Sequence, residues 1–242
     1  MEPVVDYAFG NILKYGYILI AFQGKTNGLI FVILGFVLCA VIAYLLGSLN
    51  FGLIISKYKF NDDVREHGSG GAGMTNMMRT YGRTAAGFTF FGDFVKAVIA
   101  IIIATLLCGD MGGYIAGLFC VIGHSFPVFF KFKGGKGITV TAAMVLCLNP
   151  IVFLILISVF GIIVAFTKYI SLGSIMCMLI YPLILNRVTT DPNFIMMICS
   201  VLVSVLVLFL HRENMKRLLE GTENKFSFKK SVKPEEKNKN KK

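Results

Sequence analysis

Residues 28–48 read GLIFVILGFVLCAVIAYLLGS, an apolar run with no charged side chain. A run of about 20 apolar residues is long enough to cross the hydrocarbon core of a bilayer as one α-helix. Further apolar segments follow, so the sequence predicts an all-α membrane protein with seven transmembrane helices. The seven segments are 28–48, 85–108, 112–130, 137–148, 150–166, 170–186 and 194–210.

The bulk composition agrees with an integral membrane protein. The chain has 242 residues, 56% of them hydrophobic, and a mean hydropathy of +0.75, which leaves no room for a separate soluble domain. Segments 137–148 and 150–166 are short for spans, and the Asn149-Pro150 pair between them favours a tight helical hairpin. The alternative is a single interrupted span, but it would move residues 168–242 to the other side of the membrane.

Lys and Arg are concentrated in alternate connections between the apolar segments. When the seven segments are threaded in turn, twenty of the 24 basic residues fall on one side, and the other side receives Lys14, Lys25 and Arg187, while Lys96 lies within a segment. Cytoplasmic loops carry the excess of Lys and Arg. The sequence therefore predicts a multi-pass protein of the plasma (inner) membrane, with its N-terminus out and its C-terminus cytoplasmic. Almost every Gly-rich, Ser, Asn and His cluster lies on the same side, so the active site is expected at the cytoplasmic face.

Three regions follow from this threading. Residues 1–27 contain Asp6 and Lys14 and lack a cleavage site, which favours an interfacial or partly inserted segment over a cleaved signal peptide. Residues 28–226 form the predicted seven-helix domain, and residues 227–242 a basic, disordered cytoplasmic tail. The tail either lies near anionic lipid headgroups, where each Lys contributes up to about 1 kcal/mol, or is a solvated segment without a specific role.

The first predicted cytoplasmic connection contains a glycine-rich stretch, GSGGAGMTNMMR at residues 68–79. Closely spaced glycines let backbone N–H groups converge on a ligand, and hydroxyl, amide and guanidinium groups add donors that suit a phosphate. Close helix packing is the alternative reason for the glycines. The phosphate interpretation gives the candidate ligands Gly68, Ser69, Gly70, Gly73, Thr75, Asn76 and Arg79.

The second predicted cytoplasmic connection ends in KGGKG at residues 133–137, directly before an apolar segment. The interpretation as a second phosphate cradle assigns Gly134, Gly135, Lys136 and Gly137 to it. Membrane anchoring by cations is the alternative, but it explains the lysines and not the glycines between them.

Two pairs of polar residues lie near the ends of later segments. Ser171 and Ser174 are one helical turn apart and can point the same way, although serines in membrane helices also bond to their own backbone. His211 and Asn214 share a helix face at the end of the last segment, where a histidine can also serve only the helix dipole.

Asp93 and Lys96 lie inside the second segment, where ionisable groups are costly to bury. A structural ion pair is one interpretation and direct substrate contact the other; we treat both residues, with His124, as candidate supporting residues. The 13 acidic residues lie mostly in the tail and first loop, so the sequence predicts no metal site and no cofactor. The six cysteines, without CxxC spacing, are expected to behave as small hydrophobes.

Taken in order, these blocks closely resemble the bacterial acyl-phosphate:glycerol-3-phosphate acyltransferase family over about residues 44–226. Some positions depart from the family pattern: Gly71 replaces an Asn, Met74 an Ala, Asn50 a Pro and Ala97 a Gly. The blocks that carry the resemblance are GSLNFG at 47–52, the 68–79 loop, Asp93-x-x-Lys96, residues 123–137, 169–174 and 211–222.

The resemblance implies a seven-helix bundle that transfers a fatty acyl group from acyl phosphate to the sn-1 hydroxyl of glycerol 3-phosphate, giving lysophosphatidic acid and phosphate. Ser69, Arg79, Lys136, His211 and Asn214 would hold glycerol 3-phosphate. The acyl-phosphate head would bind to Thr75, Asn76 and either Ser171 or Ser174.

The resemblance leaves the proton acceptor open between the donor phosphate and His211. The implied partners are the two substrates, membrane lipids and an enzyme that forms acyl phosphate and hands it over, with no nucleic acid. The alternative function is a membrane transporter or translocator of a phosphorylated solute or lipid. A membrane scaffold is a third class, but it explains none of the loops.

Overall fold

The computed structural model describes residues 2–22 and 24–226, and this part of the chain is all-helical, without strands. The predicted tail, residues 227–242, lies outside the described residues. The α-helices are α1 (Glu2–Phe22), α2 (Gly28–Ser48), α3 (Phe51–Phe60), α4 (Met74–Tyr81), α5 (Arg83–Ser125), α6 (Ile138–Leu148), α7 (Pro150–Thr167), α8 (Ile170–Val188), α9 (Phe194–Leu210) and α10 (Arg212–Leu219).

Helix α5 is a hairpin of two antiparallel arms. Its backbone leaves helical geometry at Cys108 and at Gly109, whose φ is 64°. As a result, Lys96 Nζ lies 3.1 Å from His124 Nδ1, whereas 28 residues of straight helix span about 42 Å. Segments two and three of the sequence are therefore separate arms. The predicted end of segment three at residue 130 is wrong, because the helix stops at Ser125 and a 3-10 turn follows at Val128–Phe130.

Small residues let α2 pack closely against the second arm of α5. A Cβ atom on Gly47 would overlap the carbonyl oxygen of Cys120, and one on Gly123 would overlap that of Tyr44. Such close approach of helix backbones supplies the van der Waals contact that holds helices together where lipid removes the hydrophobic driving force. Alanines and thiols fill the rest of this core, including Ala43, Ala97, Ala100, Ala104, Cys39 and Cys120.

Within the described residues, four helical elements are long and apolar enough to cross a membrane, or five if α9 and α10, bent by 55°, count as one span. This count takes the α5 hairpin as one element. Helix α6 has 11 residues, about 16 Å, and cannot alone cross a hydrocarbon core of about 30 Å. Asn149 joins it to α7, and the Nδ2 of this residue donates to the Tyr114 hydroxyl at 2.8 Å. The number of seven spans and their orientation stay predictions.

Helix α1 packs at the turn of the α5 hairpin. Its backbone breaks at Gly16, with a φ of 77°, and a Cβ atom there would overlap Gly109. The contact is mutual, because a Cβ atom on Gly109 would overlap the Lys14 carbonyl oxygen. The break in α1 therefore sits against the break in α5, and the interfacial or partly inserted placement of residues 1–27 stays a prediction.

Candidate functional site

A cavity of about 470 Å³ lies between the two glycine-containing loops, helices α6 to α8 and the chain that follows α10. One end of this cavity is polar and the other is apolar. The polar end is lined by Ser69, Thr75, Arg79, Lys136, Ser171, Ser174, His211, Asn214 and Glu223. The apolar arm is lined by Ile138, Ala142, Val145, Phe153, Leu156, Ile157, Phe160, Val164, Ile170, Cys177 and Met178.

Asn76 organises the first loop from the beginning of α4. Its Oδ1 accepts from the backbone N–H of Ser69 at 2.9 Å, and its Nδ2 donates to the carbonyls of Val64, His67 and Gly71 at 2.9 to 3.0 Å. The side-chain amide of Asn76 is thus occupied by the loop, although the residue lines the cavity.

The glycines of the first loop serve its shape to different degrees. Gly68 and Gly70 have φ values of 56° and 70°, which favour glycine, and a Cβ atom on Gly68 would overlap Asn76 Oδ1. Neither Gly68 nor Gly70 lines the cavity, whereas Gly71 and Gly73 do. The glycine spacing therefore produces a tight turn that presents Ser69.

The second loop contributes Lys136 rather than a glycine cradle. The N–H groups of Gly134 and Gly135 donate to the carbonyls of Ser125 and His124 at 3.0 and 3.1 Å, and neither glycine lines the cavity. Added Cβ atoms at both positions would overlap His124. These two glycines let the loop pack on His124, while Gly137, with a φ of 82°, starts α6 at the cavity wall.

Lys136 is the cation that the second loop places in the cavity. Its Nζ donates to Asn214 Oδ1 at 2.5 Å. Burial and, to a smaller extent, the nearby Arg217 and Arg79 guanidinium groups together lower the pKa of the Lys136 ammonium to about 8, while the Glu223 carboxylate opposes this shift. Burial likewise lowers the pKa of Arg79. Both cations are thus desolvated, which strengthens their attraction for an anion.

Glu223 is a site residue that the sequence analysis missed. One carboxylate oxygen accepts from Ser171 Oγ and from Asn214 Nδ2, each at 2.9 Å, and the other accepts from Arg217 Nε at 2.7 Å. Burial alone would raise the pKa of Glu223, but these hydrogen bonds outweigh it and lower the pKa. The available signal was its position directly after the 211–222 block.

His211 occupies the bend between α9 and α10. Its Nδ1 lies 2.8 Å from the Val207 carbonyl oxygen, which can only accept, so Nδ1 carries the proton and Nε2 is unprotonated when the ring is neutral. Burial lowers the pKa of His211 to about 4, more than the Val207 hydrogen bond opposes it. His211 is therefore a neutral imidazole near pH 7.

Asp93, Lys96 and His124 form a buried polar cluster next to the cavity. Lys96 Nζ lies 2.7 Å from Asp93 Oδ1 and donates to the carbonyls of Gly47 and Leu49 at 2.9 and 2.8 Å. Asp93 and His124 reach the cavity wall, and Lys96 does not. These contacts use the hydrogen-bond donors of the Lys96 ammonium, which favours the interpretation of Asp93 and Lys96 as a structural ion pair over direct contact with substrate.

The hydroxyls of the polar end differ in what already binds them. Ser171 donates to Glu223, and Ser174 Oγ donates to the Ile170 carbonyl at 3.0 Å. Thr141, absent from the sequence-derived candidates, also reaches the wall, and its buried Oγ1 has no hydrogen-bond partner among the described residues. The hydroxyls of Ser171 and Ser174 are thus already used in hydrogen bonds within the protein, and both residues form part of the cavity wall. Their spacing in the sequence does not show this.

The arrangement as a whole suits an amphipathic anion. Cationic and neutral donors surround one end, and aliphatic and aromatic side chains surround the other. Within residues 2–22 and 24–226, no group of three or more His, Cys, Asp or Glu side chains is placed to hold a metal ion. The polar groups in this part of the chain can bind and orient a phosphate and an acyl ester.

Known proteins are similar to this chain in both sequence and fold. A family model described as glycerol-3-phosphate acyltransferase matches residues 37–221. The glycerol-3-phosphate acyltransferase of Thermoanaerobacter sp. (strain X514) is 43% identical over 197 residues, covering 81% of this chain and 98% of that protein. That of Clostridioides difficile (strain 630) is 38% identical over 204 residues, covering 82% and 98%.

Two crystal structures of PlsY (YgiH), an integral membrane glycerol 3-phosphate acyltransferase, are similar to this fold. The glycerol 3-phosphate form has a TM-score of 0.75 at 36% identity, covering 79% of this chain and 96% of that one. The lysophosphatidic acid form has a TM-score of 0.71 at 34% identity, covering 80% and 96%. This chain is a multi-pass membrane protein that belongs to the glycerol-3-phosphate acyltransferase family.

Proposed function

We propose that this protein transfers a fatty acyl group from acyl phosphate to the sn-1 hydroxyl of glycerol 3-phosphate, forming lysophosphatidic acid and phosphate in phospholipid synthesis. The observation that carries the proposal is one continuous cavity with a cationic end and an apolar arm. Both substrates are phosphates, and the donor and the product also carry a long apolar chain. The related PlsY structures, in glycerol 3-phosphate and lysophosphatidic acid forms, support the same pair of ligands.

The polar end supports specific roles for its side chains. Arg79 and Lys136 hold the phosphate of glycerol 3-phosphate, and Ser69 and Asn214 donate hydrogen bonds to its oxygens. The unprotonated Nε2 of His211 accepts a hydrogen bond from a glycerol hydroxyl. The acyl-phosphate head lies against Thr75, Ser171 and Ser174. Asn76 acts through the loop that it organises, and Ser171 is oriented by Glu223.

The apolar arm accommodates the acyl chain of the donor. Its walls come from α6, α7 and α8, and its lining residues on α7 run from Val164 near the loops to Phe153 near the Asn149 turn. The eleven positions from Phe153 to Val164 correspond to about 16 Å along the helix, which gives the length of the arm. A chain placed along this arm puts its carboxyl carbon at the boundary with the polar end, beside the acceptor hydroxyl.

The transfer step is a nucleophilic displacement at the acyl carbon. The sn-1 oxygen forms a bond to the carbonyl carbon, the bond from that carbon to the phosphate oxygen breaks, and the sn-1 proton leaves with the phosphate. A neutral His211 with a pKa of about 4 is a weak base, which supports the donor phosphate as proton acceptor. Orientation of the two substrates and stabilisation of charge by the cations and hydroxyls then supply the rate.

Several features support an enzyme over a transporter of the same phosphates. The residues of the polar end come from the two glycine-containing loops, the start of α8 and the chain around α10, all on the side predicted to be cytoplasmic. The opposite end of the cavity is apolar, so a free phosphorylated solute has no polar path onward. We place the polar end at the cytoplasmic face. The orientation can be tested with single cysteines introduced at Lys133 and at Arg187, by measuring which of them reacts with a reagent that does not cross the membrane.

The deciding experiment is an assay of the purified protein with competing acyl donors. Glycerol 3-phosphate and palmitoyl phosphate should give lysophosphatidic acid, while acyl-CoA and acyl carrier protein should be poor donors. Added chelator should leave the rate unchanged. Efficient turnover with acyl-CoA alone, or loss of activity with chelator, contradicts the proposed reaction.

A further inference from the structure

Arg65 lies outside the cavity lining but connects the two loops that form its polar end. It sits in the 3-10 turn Val64–Glu66. Its Nη1 donates to the carbonyls of Phe130 and Lys133 at 3.1 and 2.8 Å. Its Nε lies 2.9 Å from Asp63 Oδ1, and its Nη2 forms a salt bridge with Asp63 Oδ2. One guanidinium thus binds a carboxylate on one loop and two carbonyls on the other.

The Asp63 side of this contact is fixed to the first loop. Asp63 Oδ1 also accepts from the backbone N–H of Arg65 at 3.0 Å, which caps the 3-10 turn. The next residue, Val64, is fully buried, and its carbonyl accepts from Asn76 Nδ2 at 2.9 Å. Since Asn76 also holds the backbone of Ser69, hydrogen bonds connect the turn that carries Arg65 to the loop that carries Ser69.

The Phe130–Lys133 side is held in a conformation that the chain does not favour on its own. Lys131 and Phe132 both have a φ of 56°, a left-handed geometry that non-glycine residues rarely adopt and that persists only where surrounding contacts impose it. The two carbonyls that Arg65 binds flank these residues. Lys136 follows three residues after Lys133, so this turn lies on the stretch of chain that leads directly to Lys136.

We propose that Arg65 is a positioning residue for phosphate binding, holding the Phe130–Lys133 turn against the first loop so that Lys136 meets the same phosphate as Ser69 and Arg79. The inference rests on the proposed function of the cavity. A lysine at this position cannot replace it, because one ammonium lacks the planar fork that serves three acceptors in different directions. The side chain of Arg65 is 20% exposed and that of Asp63 is 22% exposed, so solvent does not fully screen the contact.

The test is a double-mutant cycle on glycerol 3-phosphate turnover with R65Q, K136A and the combined variant. In the wild-type background, R65Q should lower kcat/KM by about 10- to 100-fold, mostly through KM, as expected when charge-assisted hydrogen bonds are lost. In the K136A background, R65Q should cost less than about 3-fold, because residues that act through one another are not additive. R65K should fail to restore activity.

Matched controls separate positioning from folding and from the proposed reaction. R187Q removes an exposed arginine at the far end of α8 and should leave kcat/KM unchanged. If R65Q does not elute as a folded protein in size-exclusion chromatography, D63N replaces it in the cycle, with an expected 3- to 10-fold loss that likewise shrinks in the K136A background. Equal losses in both backgrounds overturn the positioning role, whereas absence of turnover in the wild-type protein contradicts the proposed function instead.

Discussion

Lys136 Nζ and Asn214 Oδ1 lie 2.5 Å apart although 78 positions separate the two residues in the chain. This hydrogen bond joins the second loop to α10. Asn214 in turn donates to Glu223, so the ammonium, the amide and the carboxylate form one chain of hydrogen bonds at the cavity's polar end. The contact fixes the Lys136 ammonium within the polar end of the cavity.

Activity should depend on the protonation of Lys136. Its pKa is about 8 in the free protein, so the ammonium that attracts phosphate is present below pH 8 and lost as the pH rises through that value. We expect kcat/KM for glycerol 3-phosphate to fall above about pH 8, since kcat/KM reports the free enzyme. Lys136→Arg should move the fall to higher pH because a guanidinium stays protonated. An unchanged alkaline limb in that variant would contradict the assignment.

Removing either cation should weaken transition-state binding. Arg79→Ala or Lys136→Ala should cost about 1.5–3 kcal/mol, the range for a charged hydrogen bond left unmade, which is about 10- to 150-fold in kcat/KM. Lys59→Ala is the control, because Lys59 is an exposed cation on α3 outside the cavity, and its kcat/KM should match that of the wild type. Folded Arg79 and Lys136 variants with normal rates would remove the phosphate-binding argument.

Replacing His211 tests the identity of the proton acceptor. If the donor phosphate accepts the proton, His211→Gln should raise KM for glycerol 3-phosphate, because the ring Nε2 is lost as a hydrogen-bond partner, and leave kcat nearly unchanged. A protein base would instead make the variant lose about 10²–10⁴-fold in kcat at saturating substrate. Rates at saturating and subsaturating substrate, measured across pH, distinguish the two, and we expect the KM effect.

Phe153 should limit the length of acyl chain that the apolar arm accepts. It is the cavity-lining residue of α7 farthest from the polar end. Phe153→Ala extends the arm, so the ratio of kcat/KM for longer to shorter acyl phosphates should rise. Phe166→Ala, on the same helix and 84% exposed, is the matched control. Equal ratios in the two variants would place the end of the acyl chain elsewhere.

The apolar segments could be located from sequence because membrane partitioning is a property of each segment. The beginnings and ends of α2, α7, α8 and α9 follow the predicted segments within a few residues. The end of α5 was predicted five residues too late because apolar residues continue through Phe130. The helix ends earlier because Pro127 cannot supply the backbone donor that an interior helical position requires.

The residues proposed as ligands could be selected from sequence because residue types that suit a phosphate occur in short local motifs. Ser69, Arg79, Lys136, His211 and Asn214 all line one cavity, as their grouping at one end of the predicted helices indicates. Sequence could not separate the glycines that line the cavity from Gly134 and Gly135, which pack on His124, because both uses favour the same residue.

Only the tertiary structure assigned partners to the remaining polar groups. Glu223 and Arg65 carry no motif that distinguishes them from the many charged residues of the tail and loops, and their partners lie up to 68 positions away. The apolar arm likewise needs α6, α7 and α8 side by side. Sequence determined which segments are apolar and which residue types suit a phosphate, because hydrophobicity and hydrogen-bonding capacity are local. Folding decided which groups meet, because burial and pairing depend on distances between segments remote in the chain.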